Sequence, residues 1–294
     1  MKFLLAISSK QYSGPTLKLG AEIAQVFGAE LNIVYVGPKT KGIQDGPLDL
    51  ARTSLSHWNI HHPGLEVLEW AFNELKKICP DHADLRQAEF DPKNIVEEGN
   101  RFKVILPATQ GCRVQLTLRE GELINELREE LQMEEYALTI IGGSQGNRKM
   151  AHDLIQYLPS SILIARNLDL KKQYKLLLLV DDSELTEKSV RFGAEIAKTE
   201  KWDIRTLTVS KTERFGTGYQ GAADNAKAYL EKQGLNVEQF FITGDPVTTF
   251  IQFAGDDHIM IMGMSTANPL LKFFKGSKPI KTLEKSTVPI LVIK

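Results

Sequence analysis

The residues with most chemical promise lie in the C-terminal half. Gly276-Ser277-Lys278-Pro279 has the form of a helix start. Gly276 permits an unusual dihedral, the Ser277 hydroxyl can cap, and Pro279 fits a first turn, where a missing amide proton costs little. Free N–H groups and the positive end of the helix dipole make such a start a ready anion site. Lys272, Lys275, Lys278, Lys281 and Lys285 surround it, with Glu284 the only acid after Asp257. Gly263 follows an apolar run and lets a ligand approach the backbone. Asp181 ends another such run in Asp181-Asp182-Ser183. Each feature also has a plainer account: an ordinary capped helix, a solvated lysine face, and an aspartate that shapes a turn.

Other chemistry finds little support. No Ser/His/Asp or Cys/His order stands out and no carboxylate pair can be singled out, so catalysis has no positive support and the protein is read as a non-enzyme. His57, His61 and His62 sit near Pro63 without an evident acid or thiol partner, which favours loop histidines over a metal site. Gly142-Gly143-Ser144-Gln145-Gly146 lacks the Gly-Lys-Ser/Thr ending of a phosphate loop and reads as a turn. Met260, Met262 and Met264 alternate as core residues do. Cys79 and Cys112 form no CxxC or zinc spacing, which fits a reducing compartment. A net charge of −1 gives no global attraction to nucleic acid or an anionic membrane. The first apolar run breaks at Ser8, too early for a signal peptide, and no later stretch would span a bilayer. The expectation is a cytoplasmic protein with no nucleic-acid or membrane partner.

The elements that must position these residues come from an internal repeat. Lys2-Phe3-Leu4-Leu5 falls on Lys175-Leu176-Leu177-Leu178; at the same offset Gly20–Ala24 falls on Gly193–Ala197 and Leu31–Val36 on Ile204–Val209. With 294 residues, this indicates two duplicated domains, 1–168 and 174–294, joined by the polar stretch Asn167–Tyr174. In the second copy, strands are expected at Tyr174–Val180, Ile204–Val209, Val237–Thr243, His258–Met262 and Val288–Ile293. Helices are expected after Ser183, which can cap the first, and near Ala222–Gln233, Pro246–Phe253 and Pro279–Lys285, with Gly216, Gly218 and Gly221 in a loop and Gly234 ending the second helix. Such alternation means a doubly wound, mainly parallel α/β sheet covered on both faces. The first copy opens alike, then carries extra residues at about 79–112, read as an inserted hairpin or lid. It resumes with a helix at Glu122–Leu131, a strand at Ala137–Ile141, a helix at His152–Leu158 and a strand at Ser161–Ala165.

In such sheets ligands sit beyond the carboxyl ends of the strands. That rim gathers Asp181, Val209, Ser210, Gly263 and the loop before Pro279. An adenine near Asp181 and Val209 with phosphates on Gly276–Ser277 is a coherent picture. The opening KLLLLVDDSELTEKSVRFGAEIAK and the last segment MGMSTANPLLKFFKGSKPIKTLEKSTVPILVIK resemble universal stress proteins. ATP-binding members of that family carry a glycine, two residues, a glycine, nine residues, then Gly-Ser or Gly-Thr. Gly263 and Gly276-Ser277 match the ends of that pattern, while Thr266 replaces its middle glycine. The resemblance implies two tandem five-stranded domains of adenine-nucleotide-hydrolase-like fold. It also implies an ATP or AMP site formed by Asp181, Val209, Met262, Gly263, Ser265, Thr266, Gly276, Ser277 and Lys278, and a stress-response or regulatory role without clear turnover. Whether Mg2+ accompanies the nucleotide is left open.

The first copy departs from this pattern. Ser8 stands at the position of Asp181, no Gly-Ser follows Gly143 and Gly146 at the required distance, and Asp153 is placed in the first turn of the next helix, so its nucleotide site reads as degenerate. The resemblance also implies that the closing strands, with Ile162-Leu163-Ile164 and Ile290-Leu291-Val292-Ile293, pair across a pseudo-two-fold axis, and that a second copy of the two-domain unit is a candidate partner. The competing functions are a non-nucleotide interaction module, with the 79–112 insertion as its surface, and an enzyme of the related nucleotide-hydrolysing folds, for example an ATPase.

Overall fold

The computed structural model describes residues 1–38, 63–79, 85, 88–91, 94–98, 101–106, 113–143, 148–264 and 278–294. The chain divides into two compact units, Met1–Ala137 and Leu138–Lys294.

The first unit runs β1 (Lys2–Ile7), α1 (Lys10–Val26), β2 (Glu30–Gly37), α2 (Pro63–Ile78), β3 (Ile95–Glu98), β4 (Arg101–Ile105), β5 (Val114–Glu120) and α3 (Leu123–Met133). β1, β2 and β5 are parallel neighbours. Within the insertion β3 pairs antiparallel with β4, and β4 lies antiparallel on β5 from Arg101↔Arg119 to Ile105↔Gln115. β5 has no clear strand signal in the sequence, because Arg113, Gln115, Thr117, Arg119 and Glu120 interrupt its apolar character. It is nonetheless a strand covered on both faces, with Leu116, Leu118, Thr117 and Arg119 all buried.

Its polar residues are matched by a polar helix. Arg119 Nε donates to Glu126 (2.9 Å), Nη1 to Glu130 (3.0 Å) and Nη2 to Glu129 (2.8 Å). Glu130 also accepts from Arg101 Nη1 (2.6 Å), Asn32 Nδ2 (3.1 Å) and the Tyr136 hydroxyl (3.0 Å). Arg119 and Glu130 are both 0% exposed, so only this density of partners makes their burial tolerable.

The second unit runs β6 (Leu138–Gly143), α4 (Arg148–Tyr157), β7 (Ser161–Arg166), β8 (Lys175–Leu179), α5 (Thr186–Glu200), β9 (Ile204–Ser210), α6 (Thr217–Lys232), β10 (Val237–Thr243), α7 (Pro246–Ala254), β11 (His258–Gly263), α8 (Lys278–Lys285) and β12 (Ile290–Ile293). Its strand order is β10-β9-β8-β11-β12-β7-β6. β10 through β12 are mutually parallel, the arrangement of a doubly wound sheet, and β6 is parallel to β7. The closing strands β12 and β7 meet antiparallel, Ile290 opposite Ile164 and Leu291 opposite Leu163, as expected of a pseudo-two-fold seam. Contact therefore gathers Leu138–Arg166 with the second unit, although in sequence these strands complete the first copy; a repeat boundary follows the duplication, a packing boundary follows the seam.

Several local expectations need correction. α6 begins at Thr217, so Gly218 and Gly221 are helical and only Gly216, its N-cap residue, lies before it. Gly234 does end that helix, at φ +78°, which a side chain would strain. α4 starts at Arg148, so Asp153 lies in mid-helix and cannot satisfy the helix start. Ser183 is not a cap: α5 has Leu185 at its N-cap with no side-chain cap bond.

Candidate functional site

β8, β9 and β11 run parallel, so Asp181, Val209–Ser210 and Gly263 emerge along the same carboxyl edge. Asp181 sits in a tight turn. One carboxylate oxygen, Oδ1, accepts from the Ser183 amide (3.1 Å) and the Thr186 hydroxyl (2.9 Å). That holds the side chain in one orientation and gives Ser183 a donor's role. Oδ2 lies 4.0 Å from Nζ of Lys278, the first residue of α8. The same ammonium lies 5.8 Å from the centroid of the Tyr219 ring, in the first turn of α6. A Cβ added at Gly218 would stand 3.2 Å from Asp182 Oδ2, so α6 approaches the Asp181 turn closely.

Carboxylate, ammonium and aromatic ring thus converge at the rim from separate elements. The Asp181 and Lys278 side chains are 36% and 40% exposed. An ion pair this exposed contributes about 0–1 kcal/mol, so a ligand can part the two charges at little cost. The set offers an acceptor for hydroxyl or amine groups, a cation for an anion and a ring face for a planar group.

The other expected residues present less to this rim. The Val209 and Met262 side chains are 4% and 5% exposed and belong to the core beneath it. Gly263 has a structural reason to lack a side chain: a Cβ there would lie 2.9 Å from the Leu185 carbonyl carbon and 3.0 Å from its oxygen. The start of α5 therefore accounts for the missing side chain by itself. Ser265, Thr266, Gly276, Ser277, Lys272 and Lys275 lie outside the described residues, as do the three histidines near Pro63. Among the described residues no cluster of His, Cys, Asp or Glu could hold a metal, and no helix is long and apolar enough to cross a membrane.

Thr186 and Tyr219 were not singled out from sequence. A signal for Thr186 existed, since at the repeat offset it falls on Ser13. In the first unit the Ser13 hydroxyl accepts from the Ser8 and Ser9 amides (3.0 and 3.2 Å). Both copies use a buried hydroxyl to fix the turn after their first strand, but only the second places a carboxylate on it.

No protein-family model matches the chain, and no curated protein matches it in sequence. Solved structures match it along nearly its whole length. A universal stress protein from Archaeoglobus fulgidus DSM 4304 superposes with a TM-score of 0.61 at 13% identity, covering 99% of this chain and 96% of that one. The functionally unknown protein PA1789 from Pseudomonas aeruginosa PAO1 gives 0.60 at 16% identity, covering 100% and 92%. The chain shares their fold. The cytoplasmic domain of a prokaryotic cation chloride cotransporter gives 0.50 at 11% identity, covering 99% and 94%. One architecture therefore occurs in differently described proteins, and function must be argued from the site.

Proposed function

We propose that the second unit binds an adenine nucleotide, ATP or AMP, at the rim of β8, β9 and β11, and that the protein serves a regulatory or stress-response role without clear catalytic turnover. The observation that carries this is the Asp181 carboxylate, locked through Oδ1 by Ser183 and Thr186 and presenting Oδ2 toward Lys278 at the start of α8. A carboxylate fixed in this way suits a ribose hydroxyl or a base amine, while Lys278 and the segment before it suit phosphate. The match of Gly263 and Gly276-Ser277 to the universal stress protein pattern supports the same assignment. Mass spectrometry of small molecules released from the purified protein, followed by calorimetry with ATP on wild type and Gly276→Val, tests it. Equal binding by both proteins removes the phosphate loop from the proposal.

The second reading is an interaction module of the same fold. It is favoured by Gly263, whose lack of a side chain the Leu185 backbone already explains. A protein that takes up no nucleotide and retains a stable bound partner would support it.

A further inference from the structure

Gly143 ends β6 as Gly263 ends β11, and in the first copy it holds the first glycine position of the nucleotide pattern. Its actual neighbour is an arginine. Gly143 pairs in register with Arg166 of β7, and a Cβ on Gly143 would lie 2.5 Å from Arg166 Cγ, 2.7 Å from Ile164 Cγ2 and 3.0 Å from Arg166 Nε. The arginine passes through the space the glycine leaves and reaches α8. There Nη1 donates to the carbonyls of Leu283 (2.5 Å) and Ser286 (3.0 Å). The next residue, Asn167, adopts φ 45° and donates from Nδ2 to the Thr287 carbonyl (2.8 Å). The C-terminal end of α8 is thereby fixed by the end of β7, with the guanidinium at the negative end of the helix dipole and only 5% exposed.

We infer that Arg166, given passage by Gly143, is a positioning residue for the site at the other end of α8. The inference rests on the proposed nucleotide site for its function, and on α8 alone for its structure. An eight-residue helix has little stability of its own. Its apolar side, Ile280 and Leu283, holds it against the unit, and the Arg166 and Asn167 bonds set its axial position. That position decides whether Lys278 faces Asp181 and Tyr219. The first copy, which lacks the nucleotide pattern, has its glycine committed to supporting the second copy's helix.

The test is hydrogen–deuterium exchange of the α8 amides, with β10 amides as internal control, in the full-length protein. Arg166→Ala should speed α8 exchange by about ten- to hundredfold and leave β10 unchanged, as loss of charge-assisted bonds to helix carbonyls implies. Gly143→Ala, which crowds Arg166 and Ile164 alike, should also speed α8 exchange. Arg166→Lys, which keeps the charge and a donor, should fall between wild type and Arg166→Ala, and it carries the test if the alanine variant does not fold. Unchanged α8 exchange in Arg166→Ala and Arg166→Lys overturns the inference. ATP affinity should fall in parallel with α8 protection; affinity unmoved while α8 loosens would overturn the positioning role. Wild-type protein that takes up no ATP sinks the nucleotide proposal, and the exchange result then decides the clamp by itself.

Discussion

The antiparallel seam between β7 and β12 gives the sharpest stability prediction. Leu291 is 1% exposed, opposite Leu163 on one side and Ile261 on the other, so its strand is hydrogen-bonded along both edges. Leu291→Ala removes buried methyl groups and leaves a cavity, a loss of about 2–5 kcal/mol. With a urea m value of about 1–3 kcal/mol/M, the midpoint should fall on the order of 1–2 M. Leu291→Lys keeps a comparable volume but brings an ammonium into a position with neighbours on both sides. An uncompensated buried charge adds several kcal/mol, and the sum approaches the roughly 5–15 kcal/mol that holds a domain together. The lysine variant should therefore unfold or open at the seam, while an exposed β10 substitution such as Glu238→Lys leaves the core intact. Urea titrations followed by far-ultraviolet circular dichroism measure both. A Leu291→Lys protein with the wild-type melting temperature would refute the seam.

Three further outcomes follow from contacts elsewhere. Burial pushes the Glu134 carboxyl up, but hydrogen bonds from Lys2 and Lys103 outweigh it and lower it from 4.5 to about 2. A carboxyl held low in the folded state contributes stability above its unfolded value and loses it as pH falls through the folded one. The urea midpoint should thus decline between pH 4.5 and about 2, and Glu134→Gln should flatten that limb. Arg119→Met strips the fully buried Glu130 of one cation and should cost about 3–5 kcal/mol in denaturant titration. The exposed pair lost in Arg191→Met should cost only about 0–1 kcal/mol. Gly263→Ala drives a Cβ into the Leu185 backbone and should destabilise by about 1–3 kcal/mol, whereas Gly221→Ala, helical with nothing within 4 Å, should raise the melting temperature.

Much of the second unit was legible because its strands are buried on both faces and therefore read as unbroken apolar runs: Leu176–Val180, Ile259–Met262 and Ile290–Ile293 need no context. The start of α6 was not legible, since Gly218 and Gly221 signal a loop locally, and the close approach of Gly218 to Asp182 becomes visible only in the folded chain. Of the candidate site, Asp181 and Lys278 could be named from sequence because each ends or begins an element. Tyr219 could not, for its role depends on where α6 starts. Arg166 offered no signal either: a charged residue at the end of a strand ordinarily goes to solvent, and the carbonyls it meets belong to a helix more than a hundred positions away.

The inserted segment shows how one polar commitment forces another. In the second unit α7 buries Val247, Phe250 and Ala254. In the first, α3 buries Glu126 and Glu130 among its apolar residues. Two inward carboxylates would ruin an apolar interface, so they require cations at matching depth. Arg119 supplies one from β5; the other, Arg101, comes from the hairpin and is 3% exposed. Lys103 of the same strand binds Glu134 at 2.9 Å. A lid must lift at small cost, yet lifting β4 would break its pairing with β5 and take from the buried Glu130 one of its two cations. The hairpin is therefore part of the first unit's core. Any partner it recruits must bind what it leaves outward, around the exposed Val96 and Glu97 of β3, rather than the strand beneath.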